Sequence, residues 1–212
     1  MSLSRAAAET LSHLRDPADL QWYVVPLLVI AVYVYAVEVE RRNWNAVFAG
    51  LAFFGMDWLN EIANALVLHF TQRAPLWAVP GRSAYVILVG LNAEICFFFA
   101  IGGVILAKML PADPDARILG LPNRLFVAVV NSAFCTFVEV LLNGADLLVW
   151  EYRYWSTPHV WSIFLGGYLH FHLVAFWVHD MAGVRRKAAV VAAIWAPAIA
   201  SLLVFGVWLR WI

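Results

Sequence analysis

Asp57-Trp-Leu-Asn-Glu-Ile-Ala-Asn64 places two carboxylates and two amides in the middle of a long apolar segment. At about 100° per residue, the polar side chains of this stretch fall on one narrow helix face. The surrounding segment, residues 44–70, is long enough to span a bilayer. A charge near the hydrocarbon centre costs at least a few kcal/mol, roughly 2.5–3.5 on insertion scales. A polar face this costly indicates the edge of a functional site that faces a cavity or a partner.

The composition is that of a membrane protein. Hydrophobic residues make up 64% of the chain and charged residues 13%, and the mean hydropathy is +0.78. Soluble chains carry about 25% charged residues. The formal net charge is zero and no basic run occurs, so nucleic acid is not an expected partner. The 11 tryptophans suit interfacial belts and also cavity walls that tolerate positive charge.

The hydropathy pattern predicts an all-α fold, a polytopic integral membrane bundle of about six transmembrane helices in one domain, residues 20–212. A short N-terminal amphipathic helix, residues 1–16, precedes the bundle and is expected at the membrane interface. The predicted spans are residues 20–39, 44–70, 83–110, 125–150, 160–178 and 188–209. The protein is therefore expected to be a multi-pass integral membrane protein whose partner is the lipid bilayer. The sequence leaves open whether it forms a homo-oligomer.

Ionisable residues recur in four of the predicted spans. Glu94 falls near the midpoint of the third span, and Glu139 shares a face of the fourth with Asn143 and Asp146. The predicted fifth span also has a polar face, which carries Trp161, Tyr168, His172 and His179. No Lys or Arg lies at the predicted depth of Glu61, Glu94 and Glu139. Their carboxyl groups must therefore share protons, meet histidines or bind cations.

The first hypothesis is an enzyme that acts on a lipophilic substrate by general acid–base chemistry, such as isoprenoid cyclisation or double-bond isomerisation. Burial favours the neutral form of a carboxyl group, so one Glu can donate a proton while a second carboxylate or a neutral His accepts one. The predicted catalytic residues are Asp57, Glu61, Glu94, Glu139 and His172. The predicted substrate-binding residues are Trp58, Asn60, Asn64, Asn143, Trp161 and Tyr168.

The chain resembles the integral-membrane terpene cyclases of fungi and bacteria in its size and in placing Trp58 and Glu61 close together on an early span. The resemblance implies a membrane-embedded cyclase whose aromatic walls shield a carbocation. The sequence lacks the Trp-Glu dipeptide of those proteins and predicts six spans where they generally have seven. No residue role is therefore carried over from that family.

Three alternative functions remain open, and the first two of them use the same residues. A di-iron, di-manganese or zinc enzyme would draw its ligands from the buried acids and histidines. That candidate ligand set is Glu61, Glu94, Glu139, Asp146, His172 and His179. The sequence is therefore consistent both with a divalent metal cofactor and with no cofactor. A proton- or cation-coupled transporter would use the carboxylates as relays, and a non-catalytic subunit of a larger membrane complex is the fourth hypothesis.

Overall fold

The longest helix of the described chain is α3 (Trp44–Thr71), and the bundle is built around it. The structure is a computed structural model that describes residues 2–81, 83 and 85–212, so residue 84 of the predicted third span lies outside the described residues. The side chain of Asn43 caps the first turn of α3 by accepting from the Ala46 N–H. Gln72, in the left-handed conformation with φ 50°, ends the helix.

The other helices follow in chain order on both sides of α3. They are α1 (Arg5–His13), α2 (Val24–Glu40), α4 (Ala93–Lys108), α5 (Asn123–Gly144), α6 (Val160–Ile163), α7 (His170–Asp180) and α8 (Val184–Ser201). Two π-helical segments interrupt this pattern: π1 (Phe164–Leu169) joins α6 to α7, and π2 (Leu202–Trp208) extends α8. Short 3-10 turns occupy Pro17–Asp19 and Thr157–His159.

Six very short strands in the described residues form three antiparallel pairs. The strands are β1 (Trp77–Ala78), β2 (Val86–Leu88), β3 (Leu91–Asn92), β4 (Arg117–Ile118), β5 (Leu121–Pro122) and β6 (Val149–Trp150). They pair β1 with β6, β2 with β3 and β4 with β5. The first two pairs, together with α1, cover the bundle end at which α3 finishes, here called the β end. The β4–β5 pair lies in the α4–α5 connection at the opposite end.

Four stretches of the described chain are long and apolar enough to cross a membrane: Trp44–Thr71, Asn123–Gly144, Thr157–Asp180 and Val184–Trp208. The chain is therefore a mostly helical membrane protein. The count of six spans is not confirmed, because α2 has 17 residues and α4 has 16. Helices of that length reach only about 25 Å at 1.5 Å per residue, less than a typical hydrocarbon core of about 30 Å.

The structure corrects two of the predicted segment bounds. The predicted third span begins with the β2–β3 hairpin, and α4 starts only after Asn92, whose side chain accepts from the Ile95 N–H at 2.9 Å. The predicted fourth span stops at Gly144, because Asp146 adopts a φ of 55° and the following residues form β6. Apolar strands and turns next to an apolar helix look like a longer helix in a hydropathy plot.

Close helix contacts place α3 at the centre. A Cβ atom on Gly103 of α4 would lie 2.9 Å from the Gly50 Cα atom of α3, so these two glycines let the backbones approach. On another side of α3, the Trp195 indole N–H of α8 donates to the Leu51 carbonyl at 2.9 Å. These contacts fix the orientation of the α3 face that carries Asp57.

The N-terminal helix α1 lies against the β end with its small side chains inward. Ala7 and Thr10 are fully buried, while Leu3 and Leu11 are exposed. The Ser4 N–H donates to the Arg73 carbonyl at 2.9 Å and ties this helix to the chain that follows α3. Its placement at a membrane interface stays a prediction.

Candidate active site

A cavity of about 290 Å³ lies between α3, α4, α5 and π1, in the half of the bundle nearer the β end. We call it the central cavity. Its polar lining includes six of the site residues predicted from four separate spans: Asp57, Asn60, Glu61, Glu94, Glu139 and Tyr168. The rest of the wall is largely apolar. The tertiary structure thus brings acidic groups from three helices to one largely apolar space.

Two carboxyl groups of α3 stand one helical turn apart in this wall. Asp57 and Glu61 are each only 3% exposed. The Trp77 indole N–H donates to Glu61 Oε1 at 3.0 Å. In the part of the chain that the structure describes, Glu61 Oε2 and Asp57 Oδ2 are buried without a hydrogen-bond partner. A buried polar atom without a partner is costly, so these oxygens suggest contacts that a ligand would complete.

Glu139 of α5 sits in the facing wall with both oxygens occupied. The Trp150 indole N–H donates to Oε1 at 2.7 Å, and the Tyr168 hydroxyl donates to Oε2 at 2.5 Å. Glu139 is close enough to Glu61 for their charges to interact. Donors on both oxygens of a carboxylate stabilise its charged form, whereas Glu61 keeps one oxygen open among the described residues. The two glutamates are therefore not equivalent.

Tyr168 reaches Glu139 because the helix that carries it changes to π geometry. The wider π turn leaves carbonyl groups outside the regular i→i+4 ladder, and such segments are frequent at functional sites. The Asn60 side-chain N–H of α3 donates to the Gly166 carbonyl at 2.9 Å, across the helix interface. Asn60 thus fixes π1 to α3 at the level of the cavity.

Replacing Asn60 by Ala should lower the free energy of unfolding by about 1–2 kcal/mol, because the Gly166 carbonyl loses its cross-helix donor. Asn131→Ala is the matched control, since its amide donates to the Val127 carbonyl within its own helix. That variant should stay within about 0.5 kcal/mol of wild type. Denaturant unfolding in maltoside micelles measures both; equal stability of the two variants would show that the Asn60 bond does not hold π1.

Two further predicted binding residues lie behind the cavity wall. Asn64 is 1% exposed and holds the β1 strand: its Oδ1 accepts from the Leu76 N–H at 2.7 Å, and its Nδ2 donates to the Trp77 carbonyl at 2.8 Å. Asn143 donates to the Leu148 carbonyl at 3.0 Å and closes the turn after α5. Both amides support the loops that carry cavity residues, and neither lines the cavity.

Trp58, Trp161 and His172 are not brought to the central cavity. Trp58 packs on the other side of α3, against the cluster that includes Ala198 of α8. Trp161 is 60% exposed, because π1 adds residues per turn and ends the 3.6-residue register on which the shared face was predicted. His172 is fully buried, with Nδ1 2.9 Å from Ser132 Oγ and its ring packed on Phe53.

Of the six candidate metal ligands, the three glutamates line the central cavity, whereas the aspartate and the two histidines lie elsewhere. Asp146 is exposed near the β end, beyond the helix on which it was expected to share a face with Glu139. His179 lies at the end of α7, 2.8 Å from Asp180, which Arg124 contacts through two nitrogens. Within residues 2–81, 83 and 85–212, no three His, Cys, Asp or Glu side chains are grouped so that they could hold a metal ion.

The sequence reasoning missed the loop residues of the site. Trp77, Gly90 and Trp155 line the cavity, and Trp150 donates to Glu139 from just behind it. All four lie outside the spanning helices, and the Trp77 and Trp155 rings stack at 5.2 Å. The abundance of tryptophan was the only available signal, since pairing of β1 with β6 cannot be read from two-residue strands.

The cavity is closed towards the end of the bundle opposite the β end, and it is open at one side. Phe53, Phe99 and Phe171 form an aromatic floor towards the opposite end, with ring centroids 5.4–6.0 Å apart. Phe98 of α4 lines the cavity and is 47% exposed, so the open side lies between α4 and α5, where lipid would surround a membrane helix. Glu94 is in the first turn of α4, and the Tyr23 hydroxyl donates to its Oε1 at 2.5 Å.

A second cleft, of about 200 Å³, lies next to the central cavity on the side of the β end. It shares Glu94, Ile95 and Leu142 with the central cavity and continues along the loop at Pro80 and Gly81. Glu94 therefore borders both spaces and does not lie at the middle of a span. Its predicted mid-span depth was wrong, because the first part of the expected span forms the β2–β3 hairpin.

Comparison with known proteins identifies a family and no activity. Over 209 residues, 99% of each chain, the protein is 52% identical to an uncharacterized protein of Archaeoglobus fulgidus. A second uncharacterized protein of that organism is 48% identical over 50 residues, 24% of this chain and 89% of its own length. No solved structure matches the chain. A family described as an uncharacterized membrane protein family matches residues 4–207, and the chain belongs to that family.

Proposed function

We propose that this protein is a membrane-embedded enzyme that rearranges a lipophilic, isoprenoid-like substrate by general acid–base chemistry in the central cavity. One observation carries the proposal: Asp57, Glu61, Glu139 and Tyr168 converge on a largely apolar cavity that is open at its side. Acid–base catalysis needs a proton donor and an acceptor within reach of one substrate. An apolar wall with a few convergent polar groups is the usual form of a small-molecule site.

The hydrogen bonds of the two glutamates support Glu61 as the acid and Glu139 as the base. Glu61 carries the proton on Oε2, the oxygen that has no partner among the described residues, and donates it to a carbon–carbon double bond. The O–H bond breaks, a C–H bond forms with the π electrons, and the second carbon becomes positively charged. Glu139, held by Trp150 and Tyr168, then takes a proton from a neighbouring carbon and restores a double bond. The net change is an isomerisation, or a cyclisation if a second double bond attacks the cation first.

The shape of the cavity supports an enzyme over a proton- or cation-coupled transporter. A transporter needs water access from both faces, whereas the aromatic floor of Phe53, Phe99 and Phe171 closes this cavity towards the opposite end. The open side at Phe98 suits entry of a lipid-like molecule from the bilayer. The second cleft along Glu94 gives the carboxyl groups a path for proton exchange with water at the β end.

Deuterium incorporation tests the proposal even though the substrate is unidentified. Purified protein in maltoside micelles is incubated in deuterated water with isoprenoid standards and with a lipid extract of its host membranes. We expect a product isomer that carries one deuterium on carbon, because the proton of the Glu61 carboxyl exchanges with solvent before transfer. Mass spectrometry detects the shift.

The matched control is a double variant, Glu61→Gln with Glu139→Gln, which should give no labelled product. Labelled product at the same level with the double variant would rule out these carboxyl groups as the acid and base. Absence of any isomer across the isoprenoid panel and the lipid extract would count against the enzyme and favour transport.

A further inference from the structure

The lining of the central cavity has one sign of charge. Asp57, Glu61, Glu94 and Glu139 contribute carboxyl groups, and no Lys, Arg or His lines the cavity among the residues that the structure describes. Six aromatic side chains share the wall with them: Trp77, Phe98, Phe99, Trp155, Tyr168 and Phe171. The faces of aromatic rings attract cations through their quadrupole, most strongly when water is excluded.

Two carboxyl groups of α3 are incompletely satisfied by the protein itself. Glu61 Oε2 and Asp57 Oδ2 are without a hydrogen-bond partner in the described chain, although both residues are only 3% exposed. An anionic ligand would add a like charge to whichever carboxyl groups of the cavity are ionised, whereas a cation would pair with them. A neutral apolar ligand would leave both oxygens as they are. A cation placed between the two acidic walls would interact favourably with each.

We propose that the central cavity recognises a positively charged apolar group, that is, an organic cation carried by the substrate. The inference rests on the proposed function only in using the same cavity. An apolar cavity of about 150 Å³ accommodates benzene, so about 290 Å³ accommodates one ring together with a trimethylammonium-sized group. The ligand class is therefore a compact lipophilic cation that enters past Phe98.

Benzyltrimethylammonium is a stable probe of this recognition. Isothermal titration of the protein in maltoside micelles, corrected for empty micelles, should show saturable 1:1 binding. Benzylsulfonate, an anion of similar size, should bind at least tenfold more weakly, and neopentylbenzene, the uncharged carbon analogue, should not displace the ammonium at equal concentration. This comparison uses wild-type protein and does not depend on the folding of any variant.

Variants then test whether the ammonium ion binds in the central cavity. Glu61→Gln with Glu139→Gln should weaken ammonium binding at least tenfold, while Glu40→Gln, which changes an exposed carboxylate at the opposite end, should leave it unchanged. Quenching of tryptophan fluorescence by the bound ammonium, lost in Trp155→Phe, would place the ligand at the cavity wall. Equal binding of the anion, or an unchanged affinity in the double variant, would overturn the inference.

These experiments test the proposed enzyme activity and the proposed cation recognition independently of each other. Deuterated product without ammonium binding would leave the acid–base enzyme standing and reject cation recognition. Ammonium binding without any covalent product would keep the recognition and reject the enzyme. Deuterium incorporation together with ammonium binding would support both proposals, and turnover of a substrate that carries an ammonium group would join them in one reaction.

Discussion

Glu61→Gln is expected to reduce kcat/KM by about 10²- to 10⁴-fold, the usual contribution of a general acid or base. The amide cannot donate the acid proton, yet its carbonyl oxygen can still accept from the Trp77 indole N–H as Glu61 Oε1 does. The fold should therefore survive. Glu139→Gln should fall in the same range, since an amide cannot take a proton from carbon and receives weaker hydrogen bonds from Trp150 and Tyr168.

The measurement is the steady-state rate at which the isomer identified by deuterium labelling is formed. Denaturant unfolding of each variant is measured in the same micelles. Glu40→Gln is the matched control for loss of a carboxylate and should turn over like wild type, because Glu40 is exposed at the end of α2. Near-normal turnover of both Glu61→Gln and Glu139→Gln, with folded protein, would contradict the assignment of acid and base.

Gly90→Ala is expected to lower the free energy of unfolding by about 3 kcal/mol, at the upper end of the range for overpacking. Gly90 lies in the turn between β2 and β3, and a Cβ atom there would come within 2.5 Å of Glu61 Oε2 and closer still to Trp77 Nε1 and Asn64 Nδ2. Trp77 and Asn64 cannot move aside without breaking the hydrogen bonds that hold β1 to α3. The same methyl group should also weaken binding of benzyltrimethylammonium.

Gly102→Ala provides the comparison. Apart from its chain neighbours and its own helix backbone, a Cβ atom on Gly102 of α4 would have no atom of the described residues within 4 Å. This variant should therefore be neutral or more stable by roughly 0.5–1 kcal/mol through helix propensity. Unfolding in micelles and ammonium titration are measured for both variants. If Gly90→Ala is as stable as Gly102→Ala and binds the ammonium normally, the turn is not packed against Glu61 as described.

Helical periodicity correctly placed Asp57, Asn60 and Glu61 on one face, because α3 is a regular helix through that stretch. The same reasoning failed for Trp161 and Asp146. In the first case π1 changes the number of residues per turn, and in the second the helix ends before the residue is reached. Periodicity assumes an unbroken helix, whereas within π1 the Gly166 carbonyl accepts from the side chain of Asn60 on another helix.

Hydropathy and helical spacing are local properties of the chain, and they were enough to predict a helical membrane protein with a polar face on α3. Long-range contacts, in contrast, bring Glu139 to the wall that faces Glu61, keep His172 apart in the packed core, and add Trp77 and Trp150 to the site. These contacts join residues distant in sequence, and they depend on how helices cross and on which loop strands pair. Neither is encoded in the pattern of any single segment.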